Sequence, residues 1–130
     1  MQRCLTALLF VLLAACAVCG QTRGGWLRGQ WVGTGYQTDS RNTWEMLLSF
    51  RRGSYTVEYP SLECAGRWRL LSVSRTRAVF RETITSGTER CAQRGRVVIE
   101  RLNSQQLGYR FSYQGSKDFT ASAILNRRRM

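Results

Sequence analysis

Residues able to do covalent or acid–base chemistry are few in this chain. It has no histidine, which excludes Ser-His-Asp and Cys-His nucleophile activation, imidazole metal ligation and imidazole proton transfer near neutral pH. Carboxylates such as Glu82 and Glu100 are what is left for acid–base work, and their spacing defines no catalytic pair. Of the five cysteines, Cys16 and Cys19 have the spacing of a redox or zinc pair. They lie in an apolar segment with no second pair, which is the wrong setting for either role. No catalytic, cofactor or metal site is expected, and the chain reads as a non-enzyme.

Cations dominate the charged residues. Twenty Lys plus Arg face eight Asp plus Glu, a net charge of +12, and every cation except Lys117 is an arginine. Planar guanidinium forks suit an anionic partner such as lipid head groups, nucleic acid or an acidic polymer. A coding bias toward arginine accounts for the composition equally well. Arg67, Arg69, Arg75, Arg77 and Arg81, followed by Arg94, Arg96 and Arg101, are spaced to form an outward stripe on neighbouring strands.

The first residues read as an address. Arg3 precedes an unbroken apolar-to-small run from Leu5 to Ala15, too short to span a bilayer, which takes about 20 residues, and suited to an export signal. Leu13-Ala14-Ala15-Cys16 resembles the lipobox of bacterial lipoproteins, in which the cysteine becomes the lipidated amino terminus; a cut nearer Gln21, giving a soluble periplasmic or secreted protein, is the alternative. Residues 1–20 are thus assigned to the signal, 21–25 to a flexible tether and 26–130 to one folded domain. Within that domain Cys64 and Cys91 are the remaining cysteines, and in an oxidising compartment they most simply pair.

Period-two alternation runs through the domain. A first strand is expected at Gly29 to Gln37. Trp44, Met46, Leu48 and Phe50 share a face, Arg51-Arg52-Gly53-Ser54 signals a turn, and Tyr55, Val57 and Tyr59 alternate up to Pro60. Trp68 with Leu70, Phe80 with Glu82 and Ile84, Val98 with Glu100 and Leu102, Leu107 through Tyr113, and Phe119 through Leu125 complete about eight short strands. The reading is all-β, a small antiparallel, about eight-stranded, lipocalin-like β-barrel, with a two-sheet β-sandwich as the alternative.

Gly29-Gln30-Trp31 resembles the Gly-x-Trp signature of lipocalin and calycin barrels. That resemblance implies that Arg127 packs across Trp31 and closes the barrel's base. The succession Trp31-x-Gly33-x-Gly35-Tyr36-Gln37, Tyr59-Pro60-Ser61-Leu62-x-Cys64-x-Gly66, Cys91 and Leu125-x-Arg127 is similar to a small exported bacterial domain found in stand-alone lipoproteins and beside membrane kinases. It implies a lipocalin-like barrel, a disulfide and no established activity.

Period two turns Glu82 inward beside Phe80 and Ile84, where a carboxylate needs hydrogen bonds or a cation. Arg69 and Arg127 are the expected partners, and Glu82 with Arg69 is the candidate buried polar or binding pair. Trp31 and Trp68 are core candidates, whereas Trp26, outside the first strand, suits a membrane interface. The functional expectation is a non-enzymatic envelope lipoprotein, a small barrel acting as a binding module, with a lipid anchor and an anionic envelope surface or an unknown protein as partners. Alternatives are an inhibitor of an extracellular enzyme and a carrier of a small apolar ligand. Export argues against a nucleic-acid partner.

Overall fold

The alternation of large apolar with polar residues forces each segment to bury one face, and consecutive short turns let neighbours in sequence pair. The structure, a computed structural model, describes residues 23–91 and 94–129. The segment read as an export signal, Cys16 included, lies outside the described residues. Eight antiparallel strands form a closed barrel in the order β1-β2-β3-β4-β5-β6-β7-β8. They are β1 (Gly29–Gln37), β2 (Thr43–Arg51), β3 (Ser54–Tyr59), β4 (Cys64–Val73), β5 (Arg77–Ser86), β6 (Arg96–Arg101), β7 (Gln106–Ser112) and β8 (Ala121–Arg127). The sandwich alternative is set aside by the seam between β1 and β8, where Trp31 pairs with Arg127 and Gln37 with Ala121.

Closure leaves no unpaired sheet edge and produces two unlike ends. At the base, a 3-10 turn, Gly25–Leu27, tucks Leu27 into the core. It begins within the segment read as tether, so the ordered domain starts earlier than Trp26. Trp31 Nε1 donates to Leu27 O at 2.8 Å, and the Arg127 guanidinium lies 4.1 Å from the Trp31 ring centroid. Arg127 also donates to Arg28 O at 2.7 Å and Ser104 O at 3.1 Å, tying β8 to the chain on both sides of the base. Gly29 (φ 129°) is required there, since a Cβ would sit 2.6 Å from Arg127 Nη1. The Gly-x-Trp pattern and Arg127 act together as a plug. Trp26 is part of it, half-buried against the core with Nε1 donating to Ser74 O at 3.0 Å.

Above the plug the interior is filled. Phe50, Trp68 and Phe80 pack with centroid separations of 5.3–5.7 Å, and Trp68 stacks on Tyr109 at 6.0 Å. A barrel of this strand number has an interior just wide enough for side chains. β6 departs from simple alternation: Val97, Val98 and Ile99 are all buried, although Val98 faces outward opposite Val79 and Arg110. The last strand begins at Ala121, so Phe119 lies in the preceding loop, with the Arg110 guanidinium 4.6 Å from its ring centroid.

Candidate functional site

The opposite end of the barrel stays open, and one segment, Tyr59 to Cys64, organises it. Pro60 ends β3 because it has no N–H for the ladder, and Pro60–Leu62 forms a 3-10 turn closed by Glu63 in the left-handed region. Each residue of this corner then ties down a different part of the rim. Ser61 Oγ accepts from Glu45 N at 3.0 Å. Leu62 O and Glu63 O accept from Arg90 Nε and Nη2 at 3.2 and 2.8 Å, and Arg90 Nη1 pairs with Glu89. Cys64 is bonded to Cys91, as expected. The Tyr-Pro-Ser-Leu-x-Cys run is therefore a clamp joining the β3–β4 corner to β2 and to the β5–β6 loop.

Tyr59 itself points inward, to Glu82. Glu82 is 3% exposed and its Oε2 accepts from Tyr59 Oη and, at 2.7 Å, from Trp68 Nε1. Register explains the meeting: Glu82 pairs with Trp68 across β4–β5, and Tyr59 precedes the corner that starts β4. Burial pushes the Glu82 carboxyl above its usual range, and the bonds from Tyr59 and Trp68 oppose that only in part. The Tyr59 and Tyr109 hydroxyls are pushed well up, first by burial and then by neighbours that include Glu82.

The partners expected for Glu82 are not there. Arg69 is exposed, because Trp68 beside it faces inward and the pleat sends consecutive side chains to opposite faces. Arg127 is inward, but at the base. The buried carboxyl is held by two neutral donors in place of a cation, and Arg69 joins the outer surface.

Above Glu82 lies a pocket of about 340 Å³ whose lining includes Trp44, Tyr59, Glu82, Tyr109, Phe111 and Tyr113. Trp44 is held at the mouth by Gly35, where a Cβ would come within 2.4 Å of the indole. Gln37 Nε2 donates to Tyr113 Oη at 3.1 Å, fixing one wall. Asp39 and Arg90 stand at the opening. The inward position of Glu82 is readable from the strand pattern. Convergence of Trp44, Tyr109 and Tyr113 on it depends on closure of the barrel and has no local signal. Among the described residues, no cluster of His, Cys, Asp or Glu could hold a metal ion.

The outer surface carries the second feature. Arg69 pairs with Arg81 across β4–β5, and Arg81 with Arg96 across β5–β6. Strand spacing of about 4.8 Å makes this a row roughly 10 Å long. Arg67 lies two residues along β4 on the same outer face. No carboxylate pairs with Arg69, Arg81 or Arg96 among the described residues; Arg81 Nη1 donates to Arg94 O at 3.2 Å. The stripe expected from sequence thus includes a directly cross-strand row of like charges.

No family model matches the chain, and no curated protein or solved structure matches it either. No helix among the described residues is long and apolar enough to cross a membrane.

Proposed function

We propose that the protein is a non-enzymatic binding module of the bacterial envelope, exported and anchored through Cys16, that docks on an anionic surface through Arg69, Arg81 and Arg96. The observation that carries this reading is the arginine row. Like charges directly opposite on neighbouring strands destabilise a sheet, and a row without carboxylates is best satisfied by phosphates from outside. Guanidinium groups suit that role because each can hold a phosphate with two parallel hydrogen bonds. The filled interior supports a surface-acting module over a carrier that encloses a large apolar ligand.

Co-sedimentation of the exported protein with vesicles tests the docking. Binding is expected to vesicles containing phosphatidylglycerol, to weaken with salt, and to be absent from zwitterionic phosphatidylcholine vesicles. Each cation near an anionic membrane contributes about 1 kcal/mol, so neutralising all three should weaken binding roughly a hundredfold. Arg81→Glu should lose binding while raising thermal stability, since the new carboxylate stands between Arg69 and Arg96. Undiminished binding by that variant refutes the proposed surface. Mass spectrometry of the mature protein tests the anchor: a diacylglyceryl-modified Cys16 is expected, and an unmodified amino terminus near Gln21 removes it.

A further inference from the structure

The buried Glu82 carboxyl has a counter-charge problem that the fold does not solve. Oε2 takes both hydrogen bonds, from Tyr59 and Trp68, and Oε1 accepts none among the described residues. Among those residues the buried side-chain polar atom without a partner is Thr120 Oγ1. Oε1 therefore keeps surface open to the pocket that Glu82 helps to line. The cations of β4 and β5, Arg67, Arg69, Arg77 and Arg81, are on the outside, and Arg127 is at the far end. Arg90 reaches the opening, but its guanidinium is committed to Leu62 O, Glu63 O and Glu89.

What surrounds the free oxygen is aromatic. Trp44, Tyr59, Tyr109, Phe111 and Tyr113 line a space of about 340 Å³, near the lower end of small-ligand sites, which run from about 300 to 1,000 Å³. Aromatic faces carry negative electrostatic potential and attract cations. Asp39, at the opening, adds a second negative group.

We propose that the mouth pocket is a binding site for a small organic ammonium ion, with Glu82 Oε1 as its counter-ion and the aromatic side chains as its walls. The site is independent of the arginine row, which lies on the outer face. An ammonium N–H would complete the coordination of Oε1 and balance a carboxylate otherwise buried without a cation. The groups facing Glu82 or its pocket are Tyr59 from β3, Trp68 from β4, Tyr109 from β7, Tyr113 just beyond it, and Asp39 and Arg90 from the loops. Its own N–H donates to Gly95 O at 2.7 Å. Both buried hydroxyls are raised and stay protonated at neutral pH, so acid weakening of binding would report Glu82.

The test is titration calorimetry of the exported protein with propylammonium, ethanolammonium and agmatine, beside 1-propanol and propionate as neutral and anionic controls. At least one ammonium compound should bind, tighter than both controls, and binding should weaken as pH falls through the Glu82 range, which burial raises above that of an ordinary carboxylate. Glu82→Gln keeps an oxygen for Tyr59 and Trp68 and should lower ammonium affinity roughly thirtyfold, the scale of losing a charge-assisted hydrogen bond. Arg81→Glu should leave ammonium binding intact while vesicle binding is lost, which separates this site from the proposed docking surface. Equal binding of 1-propanol, preference for propionate, or no binding by any of the three ammonium compounds overturns the proposal. If Glu82→Gln does not fold, the comparison of ammonium with alcohol and the pH profile of the unmodified protein decide it.

Discussion

The Cys64–Cys91 bond closes a loop with a sequence separation of 27, and its contribution can be worked from that length. In the chain-entropy description, closing such a loop removes about 12 cal/mol/K from the unfolded ensemble, or about 3.6 kcal/mol at 25 °C. At about 4 °C per kcal/mol for a domain near 100 residues, that is a fall of roughly 14 °C in the unfolding midpoint. The perturbation is Cys64→Ala with Cys91→Ala, compared with the oxidised protein and with protein reduced by a phosphine. Cys64 is buried, so loss of its sulfur adds a small packing cost that reduction alone does not. The assay is thermal unfolding by circular dichroism, together with the urea slope, which reports how compact the unfolded chain is. A fall below about 4 °C in both forms would refute the loop-closure reasoning.

Three further perturbations probe the two ends of the barrel. Arg127→Ala removes the cation over Trp31 and two donors to backbone carbonyls, so a loss of about 2 kcal/mol is expected in urea unfolding; Arg127→Lys should recover less than half, because an ammonium cannot bridge the same carbonyls. Gly35→Ala places a Cβ where the Trp44 indole now sits, and should cost about 1–3 kcal/mol and shift tryptophan emission as the indole leaves the mouth. Tyr59→Phe is a pH experiment. Burial raises the Glu82 carboxyl, so its contribution to stability is fully present below the unfolded carboxyl range, about pH 4.3, and is lost as pH rises through the raised folded value. Removing the Tyr59 O–H, which lowers that value, should extend the loss to higher pH and make the variant's deficit larger at neutral than at acid pH. A pH-independent deficit would contradict it.

Most of the barrel is legible because a pleated strand leaves no freedom about which side a residue takes once one neighbour is placed. Gly29 to Gln37, the Arg51–Ser54 turn and the inward position of Glu82 follow from that rule. The same rule already placed Arg69 outside, once Trp68 was taken as core, so its pairing with Glu82 conflicts with the parity of its own strand. Arg127 failed as a partner for a different reason: parity gives the face but not the height, and height depends on the stagger of strands around the barrel. The Leu27 plug was missed because a three-residue 3-10 turn has no periodicity to detect. The aromatic mouth was missed because Trp44 and Tyr59, on the neighbouring strands β2 and β3, meet Tyr109 on β7 and Tyr113 just past its end only after closure.

That closure has a consequence for how the chain folds. Seven of the eight seams join consecutive strands and can form as local hairpins, which is the fast part of β-sheet assembly. The seam between β1 and β8 brings Arg127 to Arg28 across a separation of 99 residues. Because this seam closes by far the longest loop, β1 is paired on that side last. Until Ala121–Arg127 arrives, its backbone and the face of Trp31 stand open to another chain. Arg127 is thus a completion signal, the residue whose arrival ends the interval in which this barrel is vulnerable to aggregation.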